Sequence, residues 1–150
     1  MNPKIKSAEL AAGSFPPHGH TEFETLGEIV IAHTTGPFNL EGILAHNRAR
    51  LALLAANPIT TPQCLMTVLR TSVMMAPDCL DAFRAGLHEA YDGRPRLTAV
   101  AWVPDGPVEG FEWMEKTYAA AYAEVGIPMR NFSNQEEAMA WLRQCLAGTP

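Results

Sequence analysis

From Thr21 onward, short β-branched runs alternate with longer stretches in which apolar residues recur every three or four positions. In HTEFETLG, Phe23 stands between Glu22 and Glu24, and Leu26-Gly27 can reverse the chain; EIVIAHTT follows as a second strand-like run. Leu40, Ile43, Leu44, Asn47, Leu51, Leu54 and Ala55 share one face of a helix that Asn39 can cap and Asn57-Pro58 ends. Arg48 and Arg50 lie off that stripe, about 200° apart, and read as a solvated face. CLMTVLRTSVMM is apolar on both faces, as a central strand is. Asp78 can cap a second helix with Leu80, Phe83, Leu87 and Tyr91 along its stripe. RLTAVAWV is another central strand, and PDGP then turns the chain. A third helix follows, with Val108, Phe111, Tyr118, Tyr122 and Val125 on its inner face and Gly126 at its left-handed end. IPMRNF reads as a short edge strand, since Pro128 stands near its start. The last helix runs from about Asn134 to Leu146. Ser133 and Glu136 have capping-box spacing, and Ala138, Trp141, Leu142 and Cys145 share one face.

This order predicts an α/β domain: a mainly parallel sheet with an antiparallel N-terminal edge and about four covering helices. Residues 1–18 lack periodicity and contain Pro16-Pro17, so they read as a flexible leader to a single domain over residues 19–150. A chain of 150 residues that is 47% apolar and 18% charged can bury a sizeable core. A net charge of −5 argues against a nucleic-acid surface, and no apolar run approaches the ~20 residues of a membrane span. The N-terminal stretch has no apolar centre of the signal-peptide kind. Cys64, Cys79 and Cys145 are an odd number with no C-x-x-C pair, which points to reduced thiols and a cytoplasmic protein.

The tail FSNQEEAMAWL resembles the ending of SpoIIAA-like proteins of the STAS superfamily, which close with an aromatic residue, an acidic turn and Glu-Ala-x-x-Trp-Leu. RLTAVAWVPDGPVEGFEWMEKTYAAAY and GEIVIAHTTGPF are similar to other parts of that family. The resemblance implies a compact α/β sandwich of the SpoIIAA/STAS type. Members that antagonise anti-sigma factors carry a phosphorylatable serine, usually in Asp-Ser-x-Gly, at the start of the helix after the third strand. Here MMAPDCLDAF stands in that place: Asp78 matches the acidic position, Cys79 replaces the serine, and no glycine follows. A phospho-switch is therefore not expected. The resemblance implies a non-catalytic interaction or regulatory module that docks a protein partner or a second copy. Shared architecture with SEC14-type lipid carriers implies the alternative of an apolar ligand or lipid.

Little in the sequence points to chemistry. A thiol at a helix N-terminus, as Cys79 would be, gains thiolate character from the dipole, but Asp78 opposes this. A Cys-dependent enzyme is the weaker reading; His33, His46 and His88 are scattered over three elements. His18 and His20 alone fall short of the three or four ligands a metal needs, and neither a cofactor nor a metal is expected. Ligands of open α/β sheets sit at the C-terminal ends of the strands. The candidate partner or ligand surface is accordingly Ser72, Met74, Met75, Asp78 and Cys79, with Pro104 and Asp105. Methionine adapts to varied apolar partners, which favours Met74 and Met75. Trp113 falls off the helical stripe and would mark an interface if exposed.

Overall fold

The computed structural model describes residues 4–13 and 15–148. Six strands form one sheet in sequence order: β1 (Ile5–Lys6), β2 (His20–Leu26), β3 (Ile29–Thr35), β4 (Cys64–Ser72), β5 (Ala99–Glu109) and β6 (Met129–Asn131). The first three pair antiparallel, and β3 through β6 are parallel. The helices are α1 (Leu40–Ala56), α2 (Pro77–Tyr91), α3 (Glu115–Ala123) and α4 (Gln135–Leu146). Each parallel strand lies beside the one before it, so successive right-handed crossovers step in one direction. That geometry stacks α1, α2 and α3 on one face of the sheet. Ala138, Trp141 and Leu142 of α4 cover the other face, against Met66, Val68, Ala99, Ala101 and Val103.

Several details differ from the sequence pattern. Part of the expected leader is built into the fold: Ile5 pairs with Phe23, and buried Ser7 accepts a hydrogen bond from Thr21 N through its Oγ. A two-residue strand is too short for periodicity to announce. Residues 1–3 and 14 of that stretch lie outside the described residues. PDGP does not end β5, which continues to Glu109. The register moves from Leu69–Pro104 to Thr71–Val108, so Arg70 faces a bulge of three residues. Opposite it Thr71 holds a φ of 72°, rare for a β-branched residue. The third helix consequently starts at Glu115, leaving Val108 in the strand and Phe111 in a turn. Gly126 has the left-handed φ, 76°, expected of it.

Caps move as well. Asn39 caps α1, accepting from Gly42 N at 2.8 Å. At α2 the cap position is Ala76, with Pro77 opening the helix; among the described residues Asp78 Oδ1 accepts only from its neighbour Cys79 N. Proline at the first helical position takes the place that the sequence reading gave to Asp78. At α4 the cap is Asn134, which accepts from Glu137 N at 2.9 Å, so the expected Ser133–Glu136 box is displaced by one residue. Asn and Ser are near-equal caps, and spacing alone does not choose between them.

Candidate functional site

The inner face of α1 keeps Ile43 and Asn47 of the expected stripe but takes in Arg50, while Leu40 is exposed. Sheet, α2 and the N-terminal segment all press on this helix, so its apolar residues are spread around it and give no clean stripe. Arg50, read from the sequence as solvated, is only 5% exposed, whereas Arg48 is on the surface and donates to Leu10 O.

Between α1, α2, α3 and the sheet runs a narrow seam with a cavity of about 60 Å³. Ile43, His46, Arg50 and Leu53 line it from α1, a stretch of about 15 Å at 1.5 Å per residue, and Asn57 lines it from just beyond the helix. Phe83 and Tyr91 of α2, Tyr118 and Tyr122 of α3, and Trp102 of β5 complete an aromatic wall. Trp102 and Tyr118 have ring centroids 4.5 Å apart, and Phe83 meets Tyr118 and Tyr122 edge to face. Tyr118 donates its hydroxyl to Val73 O at 2.7 Å.

A polar chain crosses this apolar space. Arg50 donates through Nη1 to Asn47 Oδ1 and through Nη2 to His46 Nε2, both at 3.0 Å. A guanidinium only donates, so His46 Nε2 is the acceptor and Nδ1 carries the proton. That N–H donates to Thr21 Oγ1 at 2.8 Å, and Thr21 in turn reaches Thr34 Oγ1 at 3.1 Å. Burial first, then the adjacent Arg50 charge, hold His46 well below its usual pKa, in agreement with the neutral tautomer. Asn47 Nδ2 donates to Ala82 O and ties α1 to α2. Arg50 also lies 5.5 Å over the Phe83 ring. Among the described residues, no carboxylate comes within ion-pair distance of it. Burying a cation this way is costly unless something compensates. Two further donors beside the seam lack partners of good geometry: Asn57 Nδ2 and Trp102 Nε1, the latter facing Tyr122.

The surface expected from the sequence does not come together as one site. Ser72 and Met75 line the seam; Ser72 Oγ donates to Glu109 Oε1 and accepts from Met74 N. Met74 packs at Gly110, and Pro104 borders a shallow groove with Val108, Phe111 and Trp113. Asp105 pairs with Arg70 at 2.7 Å across the bulge. Asp78 is exposed, and Cys79 is buried with its thiol pushed up by burial and by Asp78. Trp113 is 82% exposed. The sequence reading missed Arg50 and His46; their i, i+4 spacing on one helix was the available signal.

Among the described residues, no group of three metal-ligating side chains is assembled, and no helix is long and apolar enough to cross a membrane. No protein-family model and no curated protein matches the chain. Among solved structures it is similar to an uncharacterized DUF3478-family protein with a SpoIIAA-like fold from Shewanella loihica PV-4. The two are 15% identical with a TM-score of 0.53, over 87% of this chain and 98% of that one. The element order, the mixed sheet and this likeness agree: the chain has a SpoIIAA-like α/β fold.

Proposed function

We propose that the chain is a non-catalytic STAS-like binding module that holds a small, mostly apolar ligand in the seam between the sheet and α1–α3. The observation that carries this reading is the aromatic lining of a partly open concave space, the usual construction of a small-molecule site. The volume sets the scale. About 60 Å³ accepts a few atoms, against about 150 Å³ for an engineered cavity that takes benzene. A lipid-sized ligand would have to part α1 from the sheet. The non-catalytic half of the reading is supported by Cys79, whose thiol is shifted away from the reactive thiolate.

A second reading, docking of a protein partner or a second copy, is favoured by Trp113 beside the groove at Pro104, Val108 and Phe111. Titration with 2-propanol, followed by NMR at the Trp102 indole N–H, tests the ligand reading: saturable shifts there support it, and shifts only at surface residues defeat it. Sedimentation of wild type and Trp113→Ala over a range of concentrations tests self-association. An unchanged monomer in both removes the second-copy form of the docking reading.

A further inference from the structure

We propose that the seam beside Arg50 binds a small monocarboxylate, with its oxygens on the unspent N–H groups of the guanidinium and its apolar end among Phe83, Tyr91 and Tyr122. This rests on the reading of the seam as a ligand site and specifies the ligand's chemistry. Arg50 is 5% exposed and has no carboxylate partner among the described residues. Of the five N–H groups a guanidinium carries, hydrogen bonds among the described residues use two, both on neutral acceptors. His46 cannot supply the missing negative charge: it is neutral, and its Nε2 lone pair is already engaged. The guanidinium lies 5.5 Å from the Phe83 ring centroid, and Tyr91 and Tyr122 line the same seam.

The remaining polar groups point the same way. Asn57 Nδ2 and Trp102 Nε1 are buried donors without acceptors of good geometry. These two donors and the Arg50 cation have as their complement a ligand that brings acceptors and negative charge. A single guanidinium balances one charge, so a monoanion fits better than a phosphate dianion. Its planar fork matches a carboxylate, whereas a halide uses the fork poorly. Asn47 and His46 hold that fork in place, and the chain through Thr21 to Thr34 anchors His46 to β2 and β3. The cavity of about 60 Å³ limits the closed form to a short acid.

The test compares acetate with acetamide, its neutral isostere, at constant ionic strength, read by NMR at the Arg50 Nε–H and the Trp102 indole. The expected result is acetate binding at least tenfold tighter than acetamide, with the preference lost in Arg50→Met. That variant fills the space without a charge but leaves Asn47 Oδ1 and His46 Nε2 without their donor. Should it fail to fold, the wild-type ratio of acetate to acetamide decides alone. Equal affinities, with 2-propanol still entering the seam, overturn the carboxylate assignment and leave the ligand site standing. Chloride displacing acetate at equal concentration overturns it too. No response to acetate, acetamide or 2-propanol defeats both the inference and the reading beneath it.

Discussion

Replacing Gly86 with alanine should destabilise the protein, although alanine is the better helix former by about 1 kcal/mol. Gly86 is buried in α2 where that helix crosses α1, and a Cβ there would fall inside the side-chain amide of Asn47. Asn47 is held by two bonds, to Ala82 O and from Arg50 Nη1, each 3.0 Å long. Moving the amide loses an ordinary hydrogen bond, about 1 kcal/mol, and one to a charged group, about 2 kcal/mol. Overpacking adds about 1–3 kcal/mol if the helices cannot part. After the propensity gain is subtracted, the expected net cost is about 3 kcal/mol with overpacking at the low end of its range. For a chain of this size that is a fall in Tm of roughly 6–12 °C. Differential scanning calorimetry measures it, with Ala85→Gly at the exposed neighbouring position as the reference for propensity alone. A Tm for Gly86→Ala at or above that of wild type would refute the tight α1–α2 crossing and, with it, the fixed position of Arg50.

Asn134→Ala should cost about 1 kcal/mol, or roughly 2–4 °C in Tm, while Ser133→Ala leaves thermal unfolding unchanged; the reverse order would return the α4 cap to Ser133. Thr71→Gly should raise stability by about 1 kcal/mol in a denaturant titration, since it relieves a left-handed β-branched residue; a loss would mean that the side chain earns its strained position. The cluster of Arg84, His88, Asp92 and Glu124 gives a pH window. Glu124 first and Asp92 next raise the His88 pKa, so its contribution is complete below the ordinary 6.5 and is lost as pH rises through the raised folded value. Arg84 and then His88 lower Glu124 to about 2, so its contribution is present above the ordinary 4.5 and is lost as pH falls through about 2. The Tm difference between wild type and His88→Gln should therefore shrink as pH rises from the ordinary 6.5 through the raised folded value; a constant difference would show that the cluster does not couple α2 to α3.

The fold was legible because its strands and helices carry different periods. The apolar runs of β4 and β5 marked central strands, and Ala138, Trp141 and Leu142 marked the inner face of α4. Where local chemistry was ambiguous, the pattern misled. Pro104-Asp105-Gly106-Pro107 has the residues of a turn, yet strand pairing with β4 resumes at Val108 and absorbs it as a bulge. The seam was harder to see. Arg50 is a charged residue on a helix that is apolar around most of its circumference, so periodicity assigned it to water. Its burial follows from packing on three sides, which no local window contains. The surface expected at the strands' C-terminal ends includes Ser72 and Met75, which line the seam, but none of the residues of its polar centre.

The two faces of the sheet divide the work. Strand alternation sends Met66 and Val68 of β4 toward α4, and Leu65, Thr67 and Leu69 toward the seam. The α4 face is an apolar contact closed by Trp141, a construction that stabilises without offering polar recognition. Buried polar side chains gather on the other face. Thr34, Arg50, Gln63, Thr67 and Ser72 line the seam; Thr21 and Asn47 bond to His46 and Arg50 within it; and Ser7 reaches it through Thr21. Each such group costs desolvation that an apolar residue would avoid, so their concentration on one face is poorly explained by stability alone. Asymmetry of this kind is expected when one face is built to fold and the other to recognise. It also separates the experiments: a change at Trp141 should read out in Tm alone, whereas a change at Arg50 should also read out in the proposed carboxylate preference.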